Sequence, residues 1–324
     1  MIDSVVLRGF KSYLDASLKL RELTILTGIN SSGKSTLIQA LRIAERVANA
    51  EKNPLLEGYG SYLELRNPKV DEWSLEVSFS GGTVIFPNGT ADVNFPNVIY
   101  VSADRMGPQL SISANDTTEL GSRGENVLKC IDTYQNELLS HYLVKDLERG
   151  ETFGYNLQLW LDAISPNMKF EWNIQRKSDS SYCEFDGHRS LNVGFGMSYT
   201  LPIIVALFMG TLGDNKVVIL ENPEAHLHPK GQTEMGRLIA LSAKAGAQVI
   251  VETHSDHLFD GIRLATKELG DGFSDKIQTY WFEKDEDKVT HEVECNFDDR
   301  GSFLRRCPKG FFDQFEINSS SLLF

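Results

Sequence analysis

The residues with the clearest chemical meaning are Gly28-Ile29-Asn30-Ser31-Ser32-Gly33-Lys34-Ser35-Thr36. They fit the pattern G-x-x-x-x-G-K-[ST], a spacing that lets a chain wrap around phosphate. The glycines allow backbone N–H groups to curl around anionic oxygens. A helix starting directly after the turn adds roughly half a positive charge at its N-terminus. Asn30, Ser31 and Gly33 form the curled backbone. Lys34 supplies a mobile cation for the β- and γ-phosphates, Ser35 a hydroxyl for Mg²⁺, and Thr36 falls near the α-phosphate. Both flanks agree with this. Leu23-Thr24-Ile25-Leu26-Thr27 is an apolar run of buried-strand length, and Leu37, Leu41, Ala44 and Ala48 recur on one face of a helix from about Lys34 to Ala48. A chance lysine after a glycine turn would lack those flanks.

A triphosphate site of this kind needs an acid on a neighbouring strand to hold the metal's water shell. Val217 to Leu220 read as a buried strand, and Glu221 emerges at its C-terminal end, where α/β sheets place ligands. Asn222-Pro223-Glu224-Ala225-His226-Leu227-His228-Pro229 follows. A lone loop carboxylate means little by itself; beside a phosphate loop it is a metal ligand. A second buried strand, Ala247 to Glu252, runs into Thr253-His254-Ser255-Asp256-His257. One histidine is more often a satisfied polar group, but at the end of a strand beside Glu221 His254 is placed to hydrogen-bond a γ-phosphate. Val193-Gly194-Phe195-Gly196-Met197-Ser198 precedes an apolar helix from Tyr199 to Leu212. A G-x-G alone is weak; paired glycines and a serine at a helix start make a second anion-binding turn.

The elements that must position these residues divide the chain into three stretches. Residues 1–106 form an N-terminal lobe with the phosphate loop and a β subdomain, in which Trp73 to Phe79 alternates apolar and polar residues and Gly81-Gly82 and Asn88-Gly89 mark turns. Residues 107–190 read as a mostly helical insertion, with helical spacing of apolar residues over Glu125–Leu147 and a short helix around Leu157, Trp160 and Leu161. Residues 191–324 form a C-terminal α/β lobe, with a helix from Pro229 to Lys244 and an aromatic tail from about Cys307. The fold class is α/β. More than half the chain separates Lys34 from Glu221, and no Asn-Lys-x-Asp motif occurs. Small GTPases and most P-loop kinases keep the two elements far closer, so the spacing predicts an ATPase whose sheet is interrupted by subdomains.

Composition sets the outer bounds. The 324 residues are 41% hydrophobic and 24% charged, enough to bury a sizeable core. The net charge of −13 disfavours non-specific nucleic-acid binding by the overall field, though local patches such as Arg305-Arg306 with Lys309 are compatible with DNA. Cys130, Cys183, Cys295 and Cys307 are scattered and form no CxxC pair, so neither a zinc knuckle nor a disulfide framework is expected. No apolar run approaches the length of a membrane span and the N-terminus has no secretory pattern, so a cytoplasmic protein with no membrane partner is expected.

Taken together, Leu7-Arg8-Gly9-Phe10-Lys11-Ser12-Tyr13, the phosphate loop, Tyr100 to Arg105, Val193 to Ser198, Glu221 to Pro229, Glu252 to His257 and Pro308 to Gln314 resemble the ABC-type ATPase heads of the RecF, SMC/Rad50 and OLD superfamily. The likeness is strongest to compact bacterial ATPases of that group, several of them in anti-phage defence modules. The resemblance implies an ABC-ATPase-like P-loop fold with a β-rich N-terminal lobe, a helical insertion and a C-terminal α/β lobe. It implies ATP and Mg²⁺ as cofactors, with Ser35 and Glu221 at the metal. It implies a head-to-tail homodimer in which Lys34 and Ser35 of one copy hold ATP that Gly194, Gly196 and Ser198 of the other cap. Glu221 corresponds to the Walker B acid, His254 to the switch histidine, and Arg105 to a residue near the nucleotide. A separately encoded effector such as a nuclease, in defence or DNA maintenance, is the implied partner, and DNA a further one.

Three departures bear on catalysis. Tyr199 replaces a common glutamine, Glu221 replaces the usual aspartate, and Asn222 stands where a catalytic glutamate follows. Asparagine orients water but cannot take its proton; Glu224 is the substitute base within reach in sequence. Firm binding with slow or partner-triggered hydrolysis is the expectation. One alternative is a nucleotide-gated scaffold that holds an effector without hydrolysis. The other is a metal-dependent nuclease using His226, His228, His254, His257, Glu224 and Asp256; it leaves the phosphate loop unexplained.

Overall fold

A computed structural model describes residues 1–87, 93–113 and 117–323; the Asn88-Gly89 turn signal lies outside the described residues. In chain order the elements are β1 (Ile2–Arg8), β2 (Asp15–Lys19), β3 (Leu23–Gly28), α1 (Lys34–Ala48), β4 (Ser74–Phe79), β5 (Gly82–Phe86), β6 (Asn97–Val101), β7 (Ile112–Ser113), α2 (Val127–Tyr134), α3 (Phe153–Ile164), β8 (Phe170–Gln175), β9 (Ser180–Phe185) and β10 (His188–Arg189). Then come α4 (Phe195–Thr211), β11 (Lys216–Glu221), α5 (Pro229–Lys244), β12 (Gln248–Glu252), α6 (Asp256–Leu269), β13 (Ile277–Lys284), β14 (Thr290–Glu294) and α7 (Gln314–Leu323). They form two compact units, Met1–Asn97 with Gly272–Phe324, and Val98–Asp271. The boundaries expected at 106 and 190 follow chain order, whereas packing returns the segment from Gly272 to the first unit, because β13 pairs in parallel with β3.

In the first unit, β2-β1-β4-β5 form an antiparallel sheet. Alternation decides which face is buried: Val5 and Leu7 sit opposite Val77 and Leu75, and all four are at most 1% exposed. Trp73 closes one end of this core, with ring centroids 4.7 Å from Phe10, 4.8 Å from Tyr62 and 5.3 Å from Phe86. Every residue of β3 is buried, as its unbroken apolar run requires. Helix α1 buries Leu37, Leu41, Ala44 and Ala48, the predicted face; each leucine contributes roughly 2 kcal/mol of transfer energy. The tail divides. Phe311 is buried against Trp281 and Phe303, while Phe315 on α7 is 75% exposed.

In the second unit β12, β11 and β6 are neighbours, and β11 and β12 run parallel with Glu221 beside Glu252. Helix α4 is buried almost all round from Thr200 to Gly210, the expectation for an apolar helix without a polar face. Segment 107–190 holds α2 and α3 together with a small antiparallel sheet of β7–β10. The helix predicted over Glu125–Leu147 spans only Val127–Tyr134. Beyond it the chain pairs with a distant segment instead: the Phe153 N–H donates to the Glu137 carbonyl at 2.8 Å and the Leu139 N–H to the Glu151 carbonyl at 3.0 Å. Leu138, whose spacing looked helical, is 64% exposed. Among the described residues no helix is long and apolar enough to cross a membrane.

Candidate active site

In the first unit the phosphate loop connects β3 to α1. Three of its residues take left-handed backbone: Gly28 at φ 143°, Ser31 at φ 62° and Gly33 at φ 112°. Gly33 is the N-cap of α1. A Cβ there would lie 2.6 Å from Thr290 Oγ1 and 3.2 Å from the Tyr13 ring, so the second motif glycine is required by both conformation and space. Lys34 is only 3% exposed, and its ammonium donates to the carbonyls of Gly28 at 3.0 Å and Ile29 at 2.9 Å. No acid occupies the first turn of α1, so nothing there cancels the positive helix end. Ser35 and Thr36 sit in that first turn, and Asn30 and Ser31 at the exposed crest of the loop. Lys11 lies nearby in the chain fold, donating to Gln39 Oε1 at 2.7 Å, with its pKa lowered by burial and by Lys284.

In the second unit the loops after β6, β11 and β12 are tied to one another. Glu221 accepts from the Tyr100 hydroxyl at 3.1 Å and from the Ala103 N–H at 3.3 Å. Arg105, 1% exposed, donates to the carbonyls of Ser102 at 2.9 Å, Glu221 at 2.7 Å and Asn222 at 2.7 Å. Its guanidinium also lies 5.1 Å from the Tyr199 ring centroid. Burial lowers the Arg105 pKa to about 10, against the pull of Glu224, Tyr199 and Glu221, so it stays charged at neutral pH. Asn222 takes left-handed backbone at φ 46°, and its N–H donates to the Glu252 carbonyl at 2.9 Å.

Glu224 is not a solvent-facing base. Its Oε1 accepts from the His254 N–H at 2.8 Å, and its Oε2 is buried without a hydrogen-bond partner among the described residues. Burial raises its pKa, opposed by the His254 N–H and by Arg105. The carboxylate thus links the loop after β11 to the loop after β12. Gln232 makes a second link: its Nε2 donates to the Leu227 carbonyl at 2.8 Å and its Oε1 accepts from Ser255 at 2.6 Å. The Ser255 oxygen in turn caps α6 by accepting from Leu258 N–H at 3.0 Å. His254 itself is exposed.

The second glycine turn opens α4. Gly194 is its N-cap, and Phe195 is 54% exposed. Gly196 is constrained, because a Cβ would lie 2.9 Å from the His226 carbonyl oxygen. Phe195, Tyr199 and His226 form an aromatic group, with Tyr199 4.8 Å and Phe195 5.7 Å from the His226 ring. Ser198 lines a small cavity with Met106, Gln109 and Leu201. Pro202, inside α4, has no N–H to bond the Ser198 carbonyl. The histidine and acid set of the nuclease alternative does not converge: among the described residues no group of three His, Cys, Asp or Glu is arranged to hold a metal.

The structure gives individual roles to residues that the sequence reading names only as part of a stretch, as with Ser12, Tyr13, Tyr100 and Ala103, or gives no role, as with Gln232 and Thr290. Tyr100 and Ala103 hold Glu221, Gln232 joins two loops, and Thr290, Ser12 and Tyr13 press on the back of the phosphate loop. Their signal in the sequence is membership of the stretches Leu7 to Tyr13 and Tyr100 to Arg105, whereas Gln232 and Thr290 have none.

Fold and motifs define an ATPase of the P-loop class. The chain matches the AAA ATPase domain family over residues 1–78 and 92–259 and belongs to that family. Among solved structures it is similar to the Pyrococcus furiosus Smc head domain with an extended coiled coil, bound to the C-terminal domain of ScpA. Identity is 13%, the TM-score 0.55, and coverage 100% of this chain and 99% of that one. It is similar also to the SmcHead bound to the C-winged helix domain of ScpA, at 14% identity and TM-score 0.54, over 91% of this chain and 98% of that one. RecF, solved with an ATP analogue, is similar at 12% identity and TM-score 0.48, over 90% and 98%. No curated protein matches the chain in sequence. The fold is that of an SMC head, as the sequence resemblance implied, and the family match makes the protein an ATPase.

Proposed function

We propose that the chain binds Mg²⁺–ATP at the loop around Lys34, hydrolyses it slowly, and joins a second copy through the nucleotide to control a separately encoded effector. The observation that carries this is the buried Lys34 ammonium, within 3.0 Å of two loop carbonyls at the start of a helix with no acid in its first turn. Such a curled, positively polarised cradle fits the chemistry of a triphosphate. Asn30, Ser31, Gly33, Lys34, Ser35 and Thr36 hold it. Ser35 and Glu221 hold Mg²⁺, whose charge offsets that on the phosphate oxygens. His254 hydrogen-bonds the γ-phosphate, and Gly194, Gly196 and Ser198 of the second copy close the site. Because each copy alone leaves ATP half-covered, nucleotide binding favours the paired state.

Slow turnover follows from what the residues can do with a proton. Asn222 orients water but accepts no proton. Glu224, the substitute base, is engaged with the His254 N–H and largely buried, so it takes a proton only after that contact opens. A partner that shifts this loop would trigger hydrolysis, and the effector, a nuclease being one class, is the natural source of that shift. DNA is a second candidate trigger. The same two observations favour the nucleotide-gated scaffold as the second reading.

Phosphate release and ATP binding by purified protein test these readings together. Wild type should bind ATP and release phosphate slowly, and N222E should raise turnover at least about tenfold, within the usual range for general-base catalysis. Absence of ATP binding removes the proposal. Fast basal turnover that survives E224Q removes the slow-hydrolysis part. An ATP-dependent change in oligomeric state with phosphate release at background selects the scaffold.

A further inference from the structure

Thr290 opens β14 and lies outside the residues matched to the family. It is 4% exposed, and its Oγ1 lies 2.8 Å from the Ser32 carbonyl and 2.7 Å from Ser12 Oγ. A carbonyl only accepts, so Thr290 donates its one proton to Ser32 and accepts from Ser12. Beside it Tyr13, fully buried, donates to the Gly33 carbonyl at 3.1 Å. Two consecutive loop carbonyls are thus pinned from behind by hydroxyls that come from distant parts of the sequence.

The consequence follows from peptide geometry. In a trans peptide the carbonyl oxygen and the amide hydrogen point to opposite sides. Holding the Ser32 carbonyl on Thr290 turns the Gly33 N–H away from Thr290. Holding the Gly33 carbonyl on Tyr13 turns the Lys34 N–H away from Tyr13. Both belong to the set of backbone N–H groups with which a loop of this pattern cradles phosphate. The loop also needs holding, because Ser31 is a non-glycine residue at φ 62°, a conformation costing of order 1 kcal/mol that persists only when the surroundings enforce it. Ser32 Oγ gives no help, being buried without a hydrogen-bond partner among the described residues.

We infer that Thr290 is a positioning residue of the nucleotide site: its hydroxyl, backed by Ser12, sets the direction of the phosphate-binding amides from the β13–β14 hairpin. The inference rests on the proposal that ATP occupies this loop. Affinity for a fluorescent ATP analogue with Mg²⁺, measured alongside thermal midpoint, tests it on wild type, T290V, T290S and K34A. T290V, nearly the same shape without the hydroxyl, should bind about tenfold more weakly, the loss expected for one buried hydrogen bond that aims a ligand group. T290S should stay within about twofold of wild type. T290V binding as wild type does, whatever its midpoint, overturns the inference and leaves Thr290 a packing residue; so does T290S binding as poorly as T290V. Should T290V not fold, S12A replaces it, with about threefold weaker binding in support and unchanged binding against. Wild type that binds no more than K34A does brings down the ATP proposal itself, a result distinct from the others.

Discussion

The phosphate loop and the Glu221 region are built from different materials. The phosphate loop is braced by neutral groups, the hydroxyls of Tyr13 and Thr290 on the carbonyls of Gly33 and Ser32, and Lys34 is its one charge. The Glu221 region is organised around a buried cation, Arg105, that bonds three carbonyls beside a largely buried carboxylate, Glu224. Neutral hydrogen bonds contribute about 0.5–1.5 kcal/mol each and respond little to pH. Buried charges cost far more when orphaned and carry a pH dependence. The phosphate loop should therefore fail by losing its ligand, the Glu221 region by losing its fold.

Removing the central charge of each region breaks the comparison most directly. R105A strips a partner from the Ser102, Glu221 and Asn222 carbonyls and leaves Glu224 buried without its nearby cation, so it should destabilise the protein by about 3 kcal/mol in urea unfolding. R105K should recover only part of this, because an ammonium lacks the planar fork that reaches several carbonyls. A loss under about 0.5 kcal/mol would mean the carbonyls find other donors. K34A should instead weaken ATP binding by about 100-fold while unfolding close to wild type. A large stability loss with K34A would erase the contrast.

The smallest effect sharpens it. Burial raises the Glu224 pKa above its ordinary 4.5, so the folded state prefers the protonated carboxyl. For that sign, the contribution is fully present below pH 4.5 and is lost as pH rises through the raised folded value. E224Q removes the titration, so its stability relative to wild type should climb as pH rises above 4.5 and level off once pH has passed the raised folded value. Urea midpoints at several pH values measure this. A difference that falls with pH would show that attraction to Arg105 outweighs burial. The phosphate loop, with neutral braces, should give T290V a difference that does not vary with pH over the same range.

Much of this was legible in the chain itself. Helix α1 starts at Lys34 and ends at Ala48, and α5 runs from Pro229 to Lys244, where the glycine turn, the leading proline and the apolar spacing place them. Glu221 ends β11 as the four apolar residues before it require. Helix α2 shows the limit of that method. Leu138 and Tyr142 keep helical spacing past Tyr134, yet the backbone there bonds to residues 151–154, because periodicity describes one segment and says nothing about a competing partner. Glu224 shows another limit. Two residues past Asn222 it has the chemistry of a base, but the His254 N–H occupies it.

The amino-acid order by itself determined the class of chemistry: a glycine turn, a lysine and a helix start make a phosphate site wherever they fold, since every part lies within nine residues. It also determined the strand that delivers Glu221. Tertiary structure alone decided which carbonyls Arg105 would bind, that Glu224 would be a link between loops, and that Thr290 would stand behind Ser32. Those contacts join residues separated by 30 to 258 positions. The geometry of a hydrogen bond depends on where two distant backbones come to rest, and local propensity carries no record of that.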